Sequence, residues 1–186
     1  MGYVMNHSYI IDGYNLIHAL GMIKTNLAPG ELETSRRTLL AFLLGAFGGD
    51  APRVTIVFDA KDAPRDRPRQ QGYQGLHIHF APKGQSADDW IETLIANEME
   101  PAGLVVVSND MRIQNAAMKG KARAWSDQDL LDYFLEKRRT PSKHAESVED
   151  RSGPVSADQV SSWLKEFESL EKDPALKEFF DYNRFD

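Results

Sequence analysis

Cysteine is absent from the 186 residues. Disulfides and cysteine-based zinc sites are thereby excluded, and a reducing compartment is favoured. No apolar run is long enough to span a bilayer, and Met1 to His7 lacks the basic stretch and apolar run of a signal peptide. A cytoplasmic protein with no membrane partner is expected. Two phosphate-binding signatures are also missing: no G-x-G-x-x-G follows the first apolar segment, and no G-x-x-x-x-G-K-[ST] occurs. Both absences disfavour nicotinamide and P-loop enzymes. Positive charge is scarce, with 22 Lys and Arg against 28 Asp and Glu and a net charge of −6. A general nucleic-acid coat protein needs more cations to neutralise phosphates. An enzyme that gathers carboxylates around metal does not, because the captured cations restore attraction for phosphate.

What is present reads as strands alternating with helices. Tyr9-Ile10-Ile11-Asp12 is a buried strand that breaks into a loop at Gly13. Leu32, Leu39, Leu40, Leu43, Leu44 and Phe47 recur at helical spacing, and Gly48-Gly49 closes that helix. Val54 to Phe58 is apolar on both faces, as a central parallel strand should be, and runs into Asp59. Lys61 to Gly75 reads as a long basic, proline-broken loop, followed by a weaker strand from Leu76 to Phe80. Ser86 and Asp89 form a capping-box signature for a helix carrying Ala87, Trp90, Ile91, Leu94 and Ile95. Leu104 to Ser108 is another strand buried on both faces, leading to Asp110 and a helix that stops at Gly120. Ala122 to Trp125 is a short strand, and Ser126 with Asp129 opens the next helix.

This alternation predicts an α/β domain with a parallel sheet covered on both faces, over residues 1–138. Residues 139–155 are polar and rich in Ser, Pro and charge, and read as a linker. Residues 156–186 form a helical C-terminal arm whose stripe of Val160, Trp163, Leu164, Phe167 and Leu170 either packs back on the domain or docks a partner.

The position of the acids carries the functional reading. Asp12, Asp59 and Asp110 each follow the carboxyl end of a strand, and Asp88 sits in the first turn of a helix. Parallel strands share one carboxyl edge, where ligands bind, so four acids converge on one rim. Two carboxylates ~5 Å apart repel by roughly 3 kcal/mol at an effective dielectric of 20. A cation among them relieves that repulsion, and an all-oxygen set suits Mg²⁺ or Mn²⁺ rather than zinc. Metal held there can activate water against a phosphodiester, leaving a 5′-phosphate and a 3′-hydroxyl. The competing reading is that each Asp is a turn former or helix cap, as Asp89 is expected to be.

The motifs also resemble a family. Ile10-Ile11-Asp12-Gly13-Tyr14-Asn15-Leu16-Ile17 is similar to the opening motif of NYN domains, specifically the YacP-like branch of the PIN-like nucleases. Val57-Phe58-Asp59-Ala60, Ser86-Ala87-Asp88-Asp89-Trp90-Ile91 and Val107-Ser108-Asn109-Asp110 continue the resemblance in the same order, so that it runs from Tyr9 to Phe134. It implies a PIN-like three-layer α/β/α sandwich and a metal-dependent endoribonuclease. It also implies metal-ligand roles for Asp12, Asp59, Asp88 and Asp110, with Asn15 orienting water or phosphate. RNA is the implied substrate, and the ribosome is an implied partner.

Lys61, Arg65, Arg67 and Arg69 crowd the loop after Asp59, with Tyr73 nearby. They are candidates to guide an RNA backbone, with Tyr73 stacking on a base, against the alternative of a solvated loop. Arg112 follows Asp110 and is a further candidate for phosphate. His77 and His79 share one face of a strand, a metal-like spacing with no third ligand suggested, and are read as structural. Gly13 is expected to permit a tight turn and close approach of backbone to phosphate. Two rivals stand beside the nuclease: a non-catalytic RNA- or ribosome-binding module of the same fold, and a metal-dependent phosphatase. The haloacid-dehalogenase form of the latter wants D-x-D, where Asp12 is followed by Gly13 and Tyr14.

Overall fold

Strands form where side chains are apolar on both faces. A computed structural model describes residues 7–22, 31–59, 69–139 and 156–166. Its central strands are β1 (Ser8–Asp12), β2 (Val54–Phe58) and β5 (Leu104–Val107), flanked by β4 (Leu76–Phe80), β6 (Arg123–Trp125) and β3 (Gln70–Tyr73). The six-stranded sheet has the order β3-β4-β2-β1-β5-β6. Every neighbouring pair is parallel except β3 with β4. This is the mainly parallel sheet that alternating elements predict.

Two apolar layers cover it. Tyr9, Ile11, Ile56 and Phe58 point into one core with α1 (Gly13–Ala19), α2 (Glu31–Phe47) and α5 (Asp127–Arg139). Ile10, Val57 and Val106 point the other way, into a core with α3 (Ala87–Ala96) and α4 (Met111–Lys119). The strands alternate in this way because successive residues face opposite sides of a sheet. Helix, sheet and helix thus make three layers.

Two elements differ from the sequence reading. Gly13 does not open a loop. It is the first residue of α1, and Asp12 is that helix's N-cap, accepting a bond from the Asn15 amide at 3.1 Å. A Cβ at Gly13 would fall on the Phe58 ring, with Cδ1 only 2.8 Å away, so glycine is needed here for helix-to-strand packing. Gly13→Ala is expected to destabilise the fold by about 1–3 kcal/mol, since the buried Phe58 has nowhere to retreat. A urea titration showing an unchanged midpoint would contradict this. The second difference is β3, inside the stretch expected to be loop. It pairs antiparallel with β4 through Gln74 and Gly75, whose φ values of 46° and 97° suit a tight two-residue turn.

The described part of the C-terminal stripe packs back on the domain. In α6 (Ala157–Glu166), Val160 and Trp163 are buried in the same core as α2, and Trp163 stacks on Phe42 with ring centroids 6.3 Å apart. The Arg138 guanidinium lies over the Trp163 ring, 5.6 Å from its centroid. Phe167 and Leu170 lie outside the described residues.

Candidate active site

The parallel register brings the acids to one edge. Asp12 ends β1, Asp59 follows β2 and Asp110 follows β5. Asp88 enters from the first turn of α3, next to Ala87, whose amide donates to Asp59 Oδ1 at 3.0 Å. The sheet order places β2, β1, β5 and β6 side by side, so this rim spans the centre of the sheet.

Several of these acids also serve as helix caps. Asp12 caps α1, and Asp110 caps α4 by accepting from the Arg112 amide at 2.6 Å. Asp59 accepts from the first residue of α3. The capping reading of a strand-end Asp is therefore realised at Asp12, Asp59 and Asp110. The N-termini of α1, α3, α4 and α5 all face the rim, and their partial positive charge offsets some of the carboxylate repulsion. Asp89 is a cap as expected, in a reciprocal capping box with Ser86.

Electrostatics tie the acids to one another. Burial pushes the Asp12 carboxyl up to about 6, and the charges of Asp88 and Asp59 push the same way against the opposing bonds from Asn15 and Ser108. Asp88 is also raised, by burial first and then by Asp110, with Arg112 opposing. A carboxyl raised by neighbouring carboxylates is one whose ionised form those neighbours disfavour.

Two residues at the rim escape the sequence reading. Asp127 is 3% exposed and its carboxyl is pushed up to about 6, by burial first and then by the charge of Asp12. Its Oδ2 accepts from Asn109 Nδ2 at 2.6 Å, while its Oδ1 is buried with no partner. A signal for it exists, since Asp127 follows β6 much as Asp110 follows β5. The capping pattern of Ser126 and Asp129, which does form, masks that signal. Ser108 is fully buried, and its hydroxyl accepts from Asn15 Nδ2 at 3.2 Å and the Asp110 amide at 3.1 Å. It points its own proton towards Asp12 Oδ2, at 3.5 Å. One hydroxyl thus links Asn15, Asp12 and Asp110.

The basic candidates divide. Lys61, Arg65 and Arg67 lie outside the described residues. Arg69 is at the rim edge, where its guanidinium donates to the Ala81 carbonyl at 2.6 Å. Arg112 is held by Asp89 and Glu92, each at 2.7 Å, so its charge is already shared with two carboxylates. Tyr73 corrects the expectation of a base-stacking residue. It pairs with Leu76 at the far end of β4 and is 7% exposed, because its ring fills the core beneath the hairpin.

The donor chemistry of the rim suits a hard divalent ion, since each acid offers carboxylate oxygen. Among the described residues, no three His, Cys, Asp or Glu side chains stand close enough to hold one ion as placed. No described helix is long and apolar enough to cross a membrane.

Comparison with known proteins agrees with this fold. The family model for the YacP-like NYN domain matches residues 9–172, extending past Phe134 into the C-terminal arm. Among solved structures, a crystal structure of a Trp-to-Leu variant of Rae1 (YacP) from Bacillus subtilis is 25% identical, with a TM-score of 0.53, over 72% of this chain and 77% of that one. A second Rae1 (YacP) crystal structure from the same organism is 22% identical, with a TM-score of 0.50, over 95% and 94% of the two chains. No curated protein matches. The three-layer sandwich is the PIN-like nuclease fold, and the chain belongs to the YacP-like NYN domain family.

Proposed function

We propose that this protein is a metal-dependent endoribonuclease that hydrolyses RNA phosphodiester bonds in the cytoplasm, with ribosome-associated messenger as the context that the family resemblance implies. The observation that carries this reading is the gathering of acids at the carboxyl edge of the parallel sheet, where Asp12 ends β1, Asp59 follows β2, Asp110 follows β5 and Asp88 opens α3. Beyond the effect of burial, Asp12 is raised through Asp88 and Asp59, Asp88 through Asp110, and Asp127 through Asp12. Acids that feel one another's charge at a ligand-binding edge form a site that gains stability from a cation.

In this reading Asp12, Asp59, Asp88 and Asp110 hold Mg²⁺ or Mn²⁺, with Asp127 as a further ligand whose Oδ1 is already turned into the protein without a partner. When bound, the metal supplies positive charge against the phosphodiester and makes water more acidic. The chain's own residues do the positioning. Ser108 fixes the Asn15 amide and faces the second oxygen of Asp12, so these groups move as one unit. Asn15 has amide hydrogens to offer a phosphate oxygen or an attacking water. Asp12, Asp59 and Asp110 each spend one carboxylate oxygen on a backbone amide, and the second would remain for an ion.

The cap bonds themselves favour a second reading, a non-catalytic RNA- or ribosome-binding module, since they give three of the acids a structural task. One experiment separates the two. A 5′-labelled single-stranded RNA is incubated with the protein in Mn²⁺ or in EDTA, and the product ends are analysed. The nuclease yields internal cuts only with metal, leaving 5′-phosphate and 3′-hydroxyl ends. RNA bound but uncut in Mn²⁺ selects the module. Termini carrying a 2′,3′-cyclic phosphate would rule out attack by water.

A further inference from the structure

Asp110 does not leave β5 alone. Ser108, Asn109 and Asp110 follow that strand in succession, and each ties the rim to a different helix. Ser108 accepts from Asn15 of α1, and Asp110 caps α4. Asn109 reaches instead to the start of α5, where it holds Asp127 at two points. Its Nδ2 donates to Asp127 Oδ2 at 2.6 Å, and its Oδ1 accepts from the Asp127 backbone amide at 3.1 Å. The Ser108 amide also donates to the Trp125 carbonyl at 3.1 Å, so the pairing of β5 with β6 continues up to the clamp. A short bond from an amide to a carboxylate is charge-assisted, and two contacts fix orientation as well as distance.

Helix α5 does not need this clamp to begin. Ser126 and Asp129 already close its first turn with reciprocal side-chain bonds. A clamp that served only to join two loops would be best made with a neutral side chain at position 127. The position carries a carboxylate instead, almost wholly buried, with Oδ2 bonded to Asn109 and Oδ1 without a partner among the described residues. Burying a carboxylate oxygen without a donor is costly, so the fold tolerates a penalty to keep a charge here. The place of that charge is informative. β5 lies between β1 and β6 in the sheet, so Asn109 stands between Asp12, at the end of β1, and Asp127, after β6. The charge of Asp12 acts on Asp127 across that gap.

We propose that Asn109 is the positioning residue for Asp127, engaging Oδ2 and the backbone amide so that Oδ1 is presented to the divalent cation gathered at the rim. The inference rests on the metal-dependent reading above and adds what holds one of its carboxylates ready. The choice of asparagine follows from the chemistry of the clamp. One short side chain must offer a donor to a carboxylate and an acceptor to an amide, and the asparagine amide does both. Aspartate would set like charge against Oδ2, and alanine would leave both bonds unmade. Without the clamp the Asp127 side chain gains rotamer freedom, and ordering it again opposes the binding of an ion.

Calorimetric titration of the full chain with Mn²⁺, in the absence of RNA, tests this beside the unfolding midpoint in EDTA. Asn109 is exposed, so Asn109→Ala should keep the fold. We expect its Mn²⁺ affinity to fall about tenfold. In an Asp127→Asn background the same substitution should cause no further loss, because the carboxylate that Asn109 positions is gone. A clamp with no part in metal binding would behave differently, lowering the midpoint in EDTA while Mn²⁺ affinity stays intact. That result overturns the inference and leaves the metal-dependent reading standing. Equal losses of affinity in both backgrounds would also overturn it, since Asn109 would then act without Asp127. A parent chain that binds no Mn²⁺ would defeat the metal-dependent reading itself, and the inference with it.

Discussion

Asp12→Asn is expected to lose about 10³-fold in RNA cleavage while making the metal-free protein more stable at pH 8. Asparagine keeps the oxygen that caps α1 through the Asn15 amide. Its amide nitrogen replaces Oδ2 and faces a Ser108 hydroxyl that already accepts from Asn15 and the Asp110 amide, so only the long 3.5 Å bond from Ser108 is given up. The cap on α1 therefore survives. What disappears is a charge 6% exposed, held against the charges of Asp88 and Asp59. Removing it should stabilise the fold by about 1–3 kcal/mol, while the several kcal/mol of charge stabilisation lent through a bound metal are lost. Cleavage of labelled RNA in Mn²⁺ and a urea titration in EDTA measure the two effects. A variant that cuts at the parent rate would remove Asp12 from the chemistry. One that cuts slowly because it is less stable would assign the residue to the fold alone.

The acids are legible in the sequence because their placement depends on strand ends alone. Once β1, β2 and β5 are recognised as parallel, Asp12, Asp59 and Asp110 must share an edge, whatever the loops between them do. Asp88 is legible from the capping box around it. The remainder depends on contacts that distant residues supply. α1 spans only seven residues, too few for a helical period to show, and it begins at Gly13 because the Phe58 ring comes close from β2. β3 reads Gln-Gln-Gly-Tyr, whose polarity belongs to an edge strand open to solvent, a pattern that sequence cannot tell from loop. The chemistry of Tyr73 suggests a partner for the basic loop, whereas the hairpin turn at Gln74 and Gly75 carries it into the core. Ser108 stands after an apolar strand, where a lone hydroxyl gives no sign of the three groups it joins.

Capping does not exclude metal binding at this rim. A helix N-terminus favours an ionised carboxylate, and that is the state a cation needs. Asp59 and Asp110 keep such bonds. Asp127 differs, because its backbone amide is taken by Asn109 and one of its oxygens has no donor at all. It is the acid with most to gain from an ion.

That difference sets the dependence of stability on pH. In the folded protein Asp12 and Asp127 both titrate at about 6, raised from 3.8. Between these values the native state holds protons that the unfolded chain has released. Stability in EDTA should therefore fall as pH rises from about 4 to 6, and the penalty should be complete above the folded values. Ionising either carboxyl within the fold costs about 3 kcal/mol more than in the unfolded chain, and the coupling between Asp12 and Asp127 makes the joint effect smaller than twice that. Mg²⁺ or Mn²⁺ binds the ionised carboxylates only, so added metal should raise the unfolding midpoint at pH 7.5 and do little at pH 5. Asp127→Asn should flatten the slope in EDTA and shrink the gain from metal together, because one carboxylate causes both. Thermal unfolding from pH 4.5 to 8, with and without metal, reads these outcomes. A midpoint in EDTA that climbs across this range would show that the two acids are not strained in the folded state. A metal-induced gain undiminished in Asp127→Asn would place the ion elsewhere on the rim.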